Sequence, residues 1–360
     1  MDGTGCGPGS VVEVRAQAAK KLDAFQRRHR LPGVVLGVVY KFFDDQGNYL
    51  AAVVTYYSFM AIFPLLLIAS SVLGFVLQGS PGLRTELLDS ALSQFPIIGK
   101  ELGRPGGVQG SATAVVIGLL AALYGSTGLG QAGQNLTYVA WSVPRNSRPN
   151  PFLTRLRSLG MLALAGLMLL LLALLTAVAG NEGMFGSLGV LTQVVLALFT
   201  VTLTTVALVV LFRVPVPGSL TFAQAVPGAL STAVLWHLLQ LAGAAYVQHV
   251  ISRASEMSKT FALVLGLFAL IYIAAVVAVL GVELNVVLAR RLYPRALLTP
   301  FTDDVDLTPA DRRAYASYAR AQRHKGFESI DVTFDEQDEP PPEQVPDQAQ
   351  KPEPQTPVEQ

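Results

Sequence analysis

The sequence predicts an all-α, polytopic membrane protein with six transmembrane helices and cytoplasmic N- and C-termini. Three observations carry that prediction. Apolar runs of about 20 residues or more recur along the chain, the length a helix needs to cross a hydrocarbon core of about 30 Å. Hydrophobic residues make up 51% of the 360-residue chain and charged residues 14%, whereas soluble chains carry roughly a quarter charged residues. Third, 21 of the 26 Lys and Arg residues fall in the termini and the loops on their side of such a bundle, and five in the alternate loops. The positive-inside rule then puts both ends in the cytoplasm. The net charge of +1 conceals this segregation. It argues for a bilayer and against a nucleic-acid partner, which would require basic residues clustered on a folded domain. Cys6 is the sole cysteine, which excludes an intramolecular disulfide and a cysteine-based metal site.

Residues 1–49 read as a cytoplasmic preamble. Residues 11–30 suit a basic helix, and the apolar run 31–43, LPGVVLGVVYKFF, suits a helix lying in the membrane interface with its aromatics at headgroup depth. No secretory signal is visible, because residues 10–30 are polar and basic. The transmembrane domain spans 50–290. Its first span, about 50–77, is uncharged and contains Pro64, which frees a backbone carbonyl and predicts a kink near Ala61. Within 78–110, Leu83, Leu87, Leu88, Ala91, Leu92 and Phe95 recur at helical spacing opposite Arg84, Glu86 and Asp89. That spacing predicts an amphipathic helix for the opposite membrane surface. The second span, about 111–130, runs into GSTGLGQAG, where small residues permit either close packing or a broken helix. The remaining spans are expected at about 158–179, 188–212, 221–247 and 260–289, the fifth containing Pro227. After the last span, 291–334 is a cytoplasmic segment in which Thr308 and Pro309 start a basic helix. Residues 335–360 are Asp, Glu, Pro and Gln with few apolar residues, a composition that favours disorder.

Glu283 heads the candidate functional residues. It is the lone carboxylate in a span-length run, and an intramembrane acid is expensive enough to suggest function and to require a partner. Two readings stay open: an anchor paired with Arg213 or Arg290, or a direct part in binding or transport. Asn285 lies two residues on and cannot share the same helix face, so it is expected to bond a neighbouring helix. Tyr56 and Tyr57 line a cavity or pack between helices. His237 and Gln240 sit one turn apart. Arg145, Arg148 and Arg213 serve as topology determinants or headgroup ligands. The four histidines offer no metal-ligand spacing. The sequence also lacks a nucleophile elbow, a Walker loop and an HExxH motif. No cofactor, no metal and no enzymatic activity are expected.

Four stretches together resemble the YihY/virulence factor BrkB family of bacterial inner-membrane proteins, once labelled ribonuclease BN. They are AAVVTYYSFMAIFPLLL (51–67), GLGQAGQNLTYVAW (128–141), AVPGALSTAVLW after a proline turn (225–236) and GVELNVVL (281–288). The resemblance covers about 31–295. It implies six spans, cytoplasmic ends and an envelope role, and sits poorly with the ribonuclease label because acid–base and metal-ligand clusters are missing. Where the family often carries an aromatic–glycine pair before its last span, this chain reads Ser258-Lys-Thr-Phe261. The expected function is a transporter or flippase-like handler of a lipid or other amphiphile, using a cavity among spans one, five and six. The alternative is a membrane scaffold recruiting a cytoplasmic protein through its tail. Membrane lipids are the expected partners, and a homo-oligomer is compatible with either reading.

Overall fold

The computed structural model describes residues 23–76, 112–179, 189–216, 220–249, 256–297, 299 and 305–334. The expected amphipathic helix within 78–110, the preamble before residue 23 and the acidic tail from 335 lie outside the described residues. Among the described residues the secondary structure is entirely helical. The principal helices are α1 (Arg30–Asp44), α2 (Gly47–Val76), α3 (Ala112–Ala140), α4 (Pro151–Ala179), α5 (Gly189–Arg213), α6 (Phe222–His249), α7 (Glu256–Arg290) and α8 (Pro309–Ala321). A short 3-10 turn, Arg145–Ser147, links α3 to α4.

Among the described residues, four stretches are long and apolar enough to cross a membrane: Pro151–Leu172, Val194–Arg213, Phe222–His249 and Phe261–Arg290. No more than 22% of any of these windows is buried within the protein. Leu198, Phe199, Leu238, Leu241, Phe261 and Leu265 all point outward. Apolar surface on that scale is untenable in water and matches a hydrocarbon solvent. The helices α2 and α3 are 30 and 29 residues long.

Helix α3 continues unbroken through GSTGLGQAG, so the small residues there serve close packing. A Cβ on Gly128 would stand 2.2 Å from the Tyr57 ring, and one on Gly130 would stand 2.6 Å from Ser158. The same device joins α6 to α7. A Cβ on Gly228 would meet the Gly281 carbonyl at 1.9 Å, and one on Gly281 would meet Thr232 Oγ1 at 1.9 Å. With little hydrophobic drive between helices in lipid, such contact replaces it with dispersion and hydrogen bonding. Asn285 supplies the hydrogen bond, its Oδ1 accepting from the Gly228 N–H at 2.7 Å. That N–H directly follows Pro227, which lies within α6 and cannot donate to the helix itself.

The apolar bundle carries a polar cap at one end. Helix α1 turns Gly33, Gly37 and Lys41 inward, where Gly37 lies against the Leu292 carbonyl and Val287. Its other face exposes Leu31, Val35, Val39 and Phe43, a four-residue stripe of the kind that beds into a membrane interface. Helix α8 starts with a capping box in which Thr308 Oγ1 accepts from the Asp311 N–H and the Asp311 carboxylate accepts from the Thr308 N–H. Asp311 also accepts from the Ala296 N–H at 3.0 Å and from the Arg295 guanidinium. One carboxylate therefore fixes both the start of α8 and the segment leaving α7.

Candidate functional site

Glu283 is fully buried in α7, but neither arginine expected to pair with it does so. Its partner is Lys41 of α1, with Nζ 3.4 Å from Oε2. Lys41 bonds more closely to Asp45, at 2.6 Å. All three side chains are at most 4% exposed. As a carboxylate, Glu283 has no hydrogen-bond donor on either oxygen. It does lie beside Asp45, where a proton on Glu283 can bridge the two carboxyls, Asp45 accepting. Burial pushes the Asp45 pKa up, and the Lys41 ammonium only partly offsets it. Two acids thus share one buried ammonium, leaving the trio one negative charge in excess. Lys41 Nζ also faces the Tyr318 ring, 5.1 Å from its centroid.

Arg213 and Arg290 have other tasks. Arg290 donates to the Trp141 carbonyl at 2.6 Å and stacks over that indole. Arg213 donates to the Leu220 carbonyl at 3.1 Å and lies 3.9 Å over the Phe222 ring. Each ties a helix end to the following or neighbouring segment. Arg295 forms the second buried pair group, donating to Asp311 and, at 3.1 Å, to Asp44. Burial alone would lower its pKa, but those carboxylates outweigh it and hold the guanidinium above its ordinary value. The Tyr318 hydroxyl donates to Asp44 at 3.2 Å. Burial, with Asp45 and Asp44 nearby, raises its pKa.

A cavity of about 440 Å³ opens directly beside these groups. The α1–α2 turn contributes Asp44, Asp45 and Gln46, α3 contributes Asn135 and Tyr138, and α8 contributes Tyr318. Arg145 and Arg148 close another wall, and Leu50 and Val53 of α2 form its apolar flank. Three helix ends around this region adopt left-handed backbone at non-glycine residues, Gln46 (φ 56°), Ser142 (φ 46°) and Arg291 (φ 53°). Such C-terminal turns redirect the chain sharply and bring the loops together here.

The other candidates lie elsewhere. Tyr57 faces Tyr124 of α3 at 6.3 Å, a contact between helices, whereas Tyr56 meets its neighbour Tyr57 edge to face at 5.1 Å on the same helix and is exposed. Neither lines the cavity, and neither do the half-buried His237 and Gln240 on α6. Asn285 bonds α6 as described above. Pro64 falls within α2. Sequence reasoning missed Lys41, Asp45 and Arg295. The available signal was the Lys41–Asp45 spacing of four at the end of an apolar run, which places both side chains on one helix face.

Comparison with known proteins identifies a family. An 88-residue stretch is 33% identical to an uncharacterized protein, Dda3937_02003, of Dickeya dadantii (strain 3937), covering 23% of this chain and 27% of the relative. The match thus spans about a quarter of that protein's length. No solved structure matches. The family model described as Virulence factor BrkB matches residues 38–303, which include the C-terminal half of α1, the apolar bundle and every member of the buried charge cluster except Asp311 and Tyr318. On that match the chain belongs to the virulence factor BrkB family.

Proposed function

We propose that this protein is a six-span component of the bacterial cytoplasmic membrane, with both termini cytoplasmic, that binds and translocates a lipid or other amphiphile. The observation behind this reading is the placement of the 440 Å³ cavity. It sits at the polar end of an apolar bundle, with charged and aromatic residues on its walls and α2's apolar flank beside it. An amphiphile needs that combination, a polar pocket for the head within reach of a lipid-facing surface for the tail. The helices α2 and α3, each about 30 residues, supply the two spans beyond the four already long and apolar enough. With six crossings, α1 and α8 share the cytoplasmic face. Glu283 acts in this reading as the polar anchor that holds α1 to α7 beneath the cavity.

Native mass spectrometry of gently purified full-length protein tests the binding step. The expected result is a specific amphiphile retained by wild type and altered in abundance by Glu283→Gln. Bulk lipid only, unchanged by the substitution, would contradict amphiphile binding at this site.

A further inference from the structure

We propose that the cavity between α2, α3 and α8 binds a phosphate group, free or carried by a lipid headgroup, with Arg145 and Arg148 as its ligands. The lipid form rests on the proposed function above; the phosphate site itself does not.

Each acid on the cavity wall already faces a cation, although Asp45 shares Lys41 with Glu283. Asp44 is held by Arg295, with the Tyr318 hydroxyl as a further donor, and Asp45 by Lys41. The arginines differ: among the described residues neither has a carboxylate partner. Arg145 reaches only the His324 ring at 3.5 Å. Arg148 donates to the Val143 carbonyl and to Asn135 Oδ1, each at 3.4 Å, and lies over the Tyr138 ring. These are long, neutral acceptors for a strongly charged group. Arg145 opens the 3-10 turn and Arg148 is the extended residue that closes it, and both line the same cavity. Burial, and then the charge of Arg145, lower the Arg148 pKa. Two cations that repel each other across a concave surface define a place for an anion.

The surrounding charges favour the same sign. Four carboxylates (Asp44, Asp45, Glu283, Asp311) line or back the cavity against five cations (Lys41, Arg145, Arg148, Arg290, Arg295). The excess is positive, and it grows when Asp45 takes up a proton. Guanidinium pairs match phosphate oxygens by parallel donation, and the Asn135 amide stands beside them as a neutral donor. Leu50 and Val53 on the flank leave room for a phosphate that arrives on a lipid.

Full-length protein in detergent should bind inorganic phosphate saturably by calorimetry. Arg148→Gln and Arg145→Gln should each weaken binding by about tenfold or more, as loss of a charge-assisted contact implies. Asn135→Asp provides a control that does not depend on damaging the fold. It puts a carboxylate where Arg148 already donates, so it should raise the melting temperature while abolishing phosphate binding. Nanodiscs separate the two sources. Protection of residues 145–148 from hydrogen exchange with phosphatidylglycerol, but not with free phosphate, would mark the headgroup as the ligand. Protection by both would mark the phosphate group alone. Absence of saturable binding in both formats, or binding indifferent to all three substitutions, would overturn the site. None of these readouts requires transport, so failure here is distinguishable from failure of the translocation reading.

Discussion

Lys41 is the one ammonium shared by two carboxylates that the fold removes from water, and its loss should therefore be worse than the loss of either acid. Lys41→Met leaves Asp45 and Glu283 buried with no ammonium between them and should destabilise by about 3–5 kcal/mol. Glu283→Gln restores neutrality and places an amide beside Asp45, so its effect should stay within about 2 kcal/mol. Thermal melts in detergent check the ranking. The same trio predicts a pH dependence. Asp45 faces Lys41, Glu283, Asp44 and Tyr318, and burial raises its pKa. The folded chain therefore holds this proton more tightly than the unfolded chain. The resulting stabilisation is complete below the ordinary carboxylate value of about 3.9 and is lost as pH rises through the raised value. Asp45→Asn should flatten that fall in melting temperature from about pH 4 upward, and an unchanged slope would refute the assignment. Glu283 was legible in the sequence because a lone carboxylate in an uncharged run is costly in hydrocarbon and stands out against its apolar neighbours. Its partner was not, since Lys41 is 242 positions away and one of seven basic residues before the first span. Only packing of α1 against α7 distinguishes it from the other six.

Helix contacts in this molecule depend on a few glycines, and they can be told apart from glycines that do nothing. Gly281→Val forces a side chain into Thr232 and the Gly228 carbonyl, and Gly228→Val forces one into the Gly281 carbonyl. Each should cost about 3 kcal/mol or more, because backbone cannot yield as a flexible side chain does. Gly160 and Gly166 on α4 have open space where a Cβ would go, and alanine there should change stability by no more than about 1 kcal/mol. Equal effects at all four positions would contradict the α6–α7 geometry. At this scale the sequence was informative about where apolar helices lie and where α8 starts, since Thr308-Pro309 is a local signal. It left the course of α3 through GSTGLGQAG open. Small residues specify both a tight crossing and a break, and the neighbours Tyr57 and Ser158 that decide between them are remote in sequence.

For the whole molecule, six crossings require both ends on one side of the membrane. Reporter fusions after residue 334 and at the N-terminus should report the cytoplasm together, and opposite locations would remove the six-span arrangement. The cavity's position was not legible. The intramembrane acid and the tyrosines of the first span directed attention to the bundle's middle, whereas the cavity forms where the α1–α2 turn, the α3–α4 loop and α8 converge. Those are three chain segments whose proximity is a tertiary fact. The central claim is movement of an amphiphile, and the most direct measurement is transbilayer exchange of a fluorescent phospholipid in proteoliposomes of confirmed insertion. The account predicts exchange well above protein-free vesicles, reduced by Arg148→Gln while the protein stays folded. Exchange equal to protein-free vesicles, with the protein inserted and folded, would contradict it.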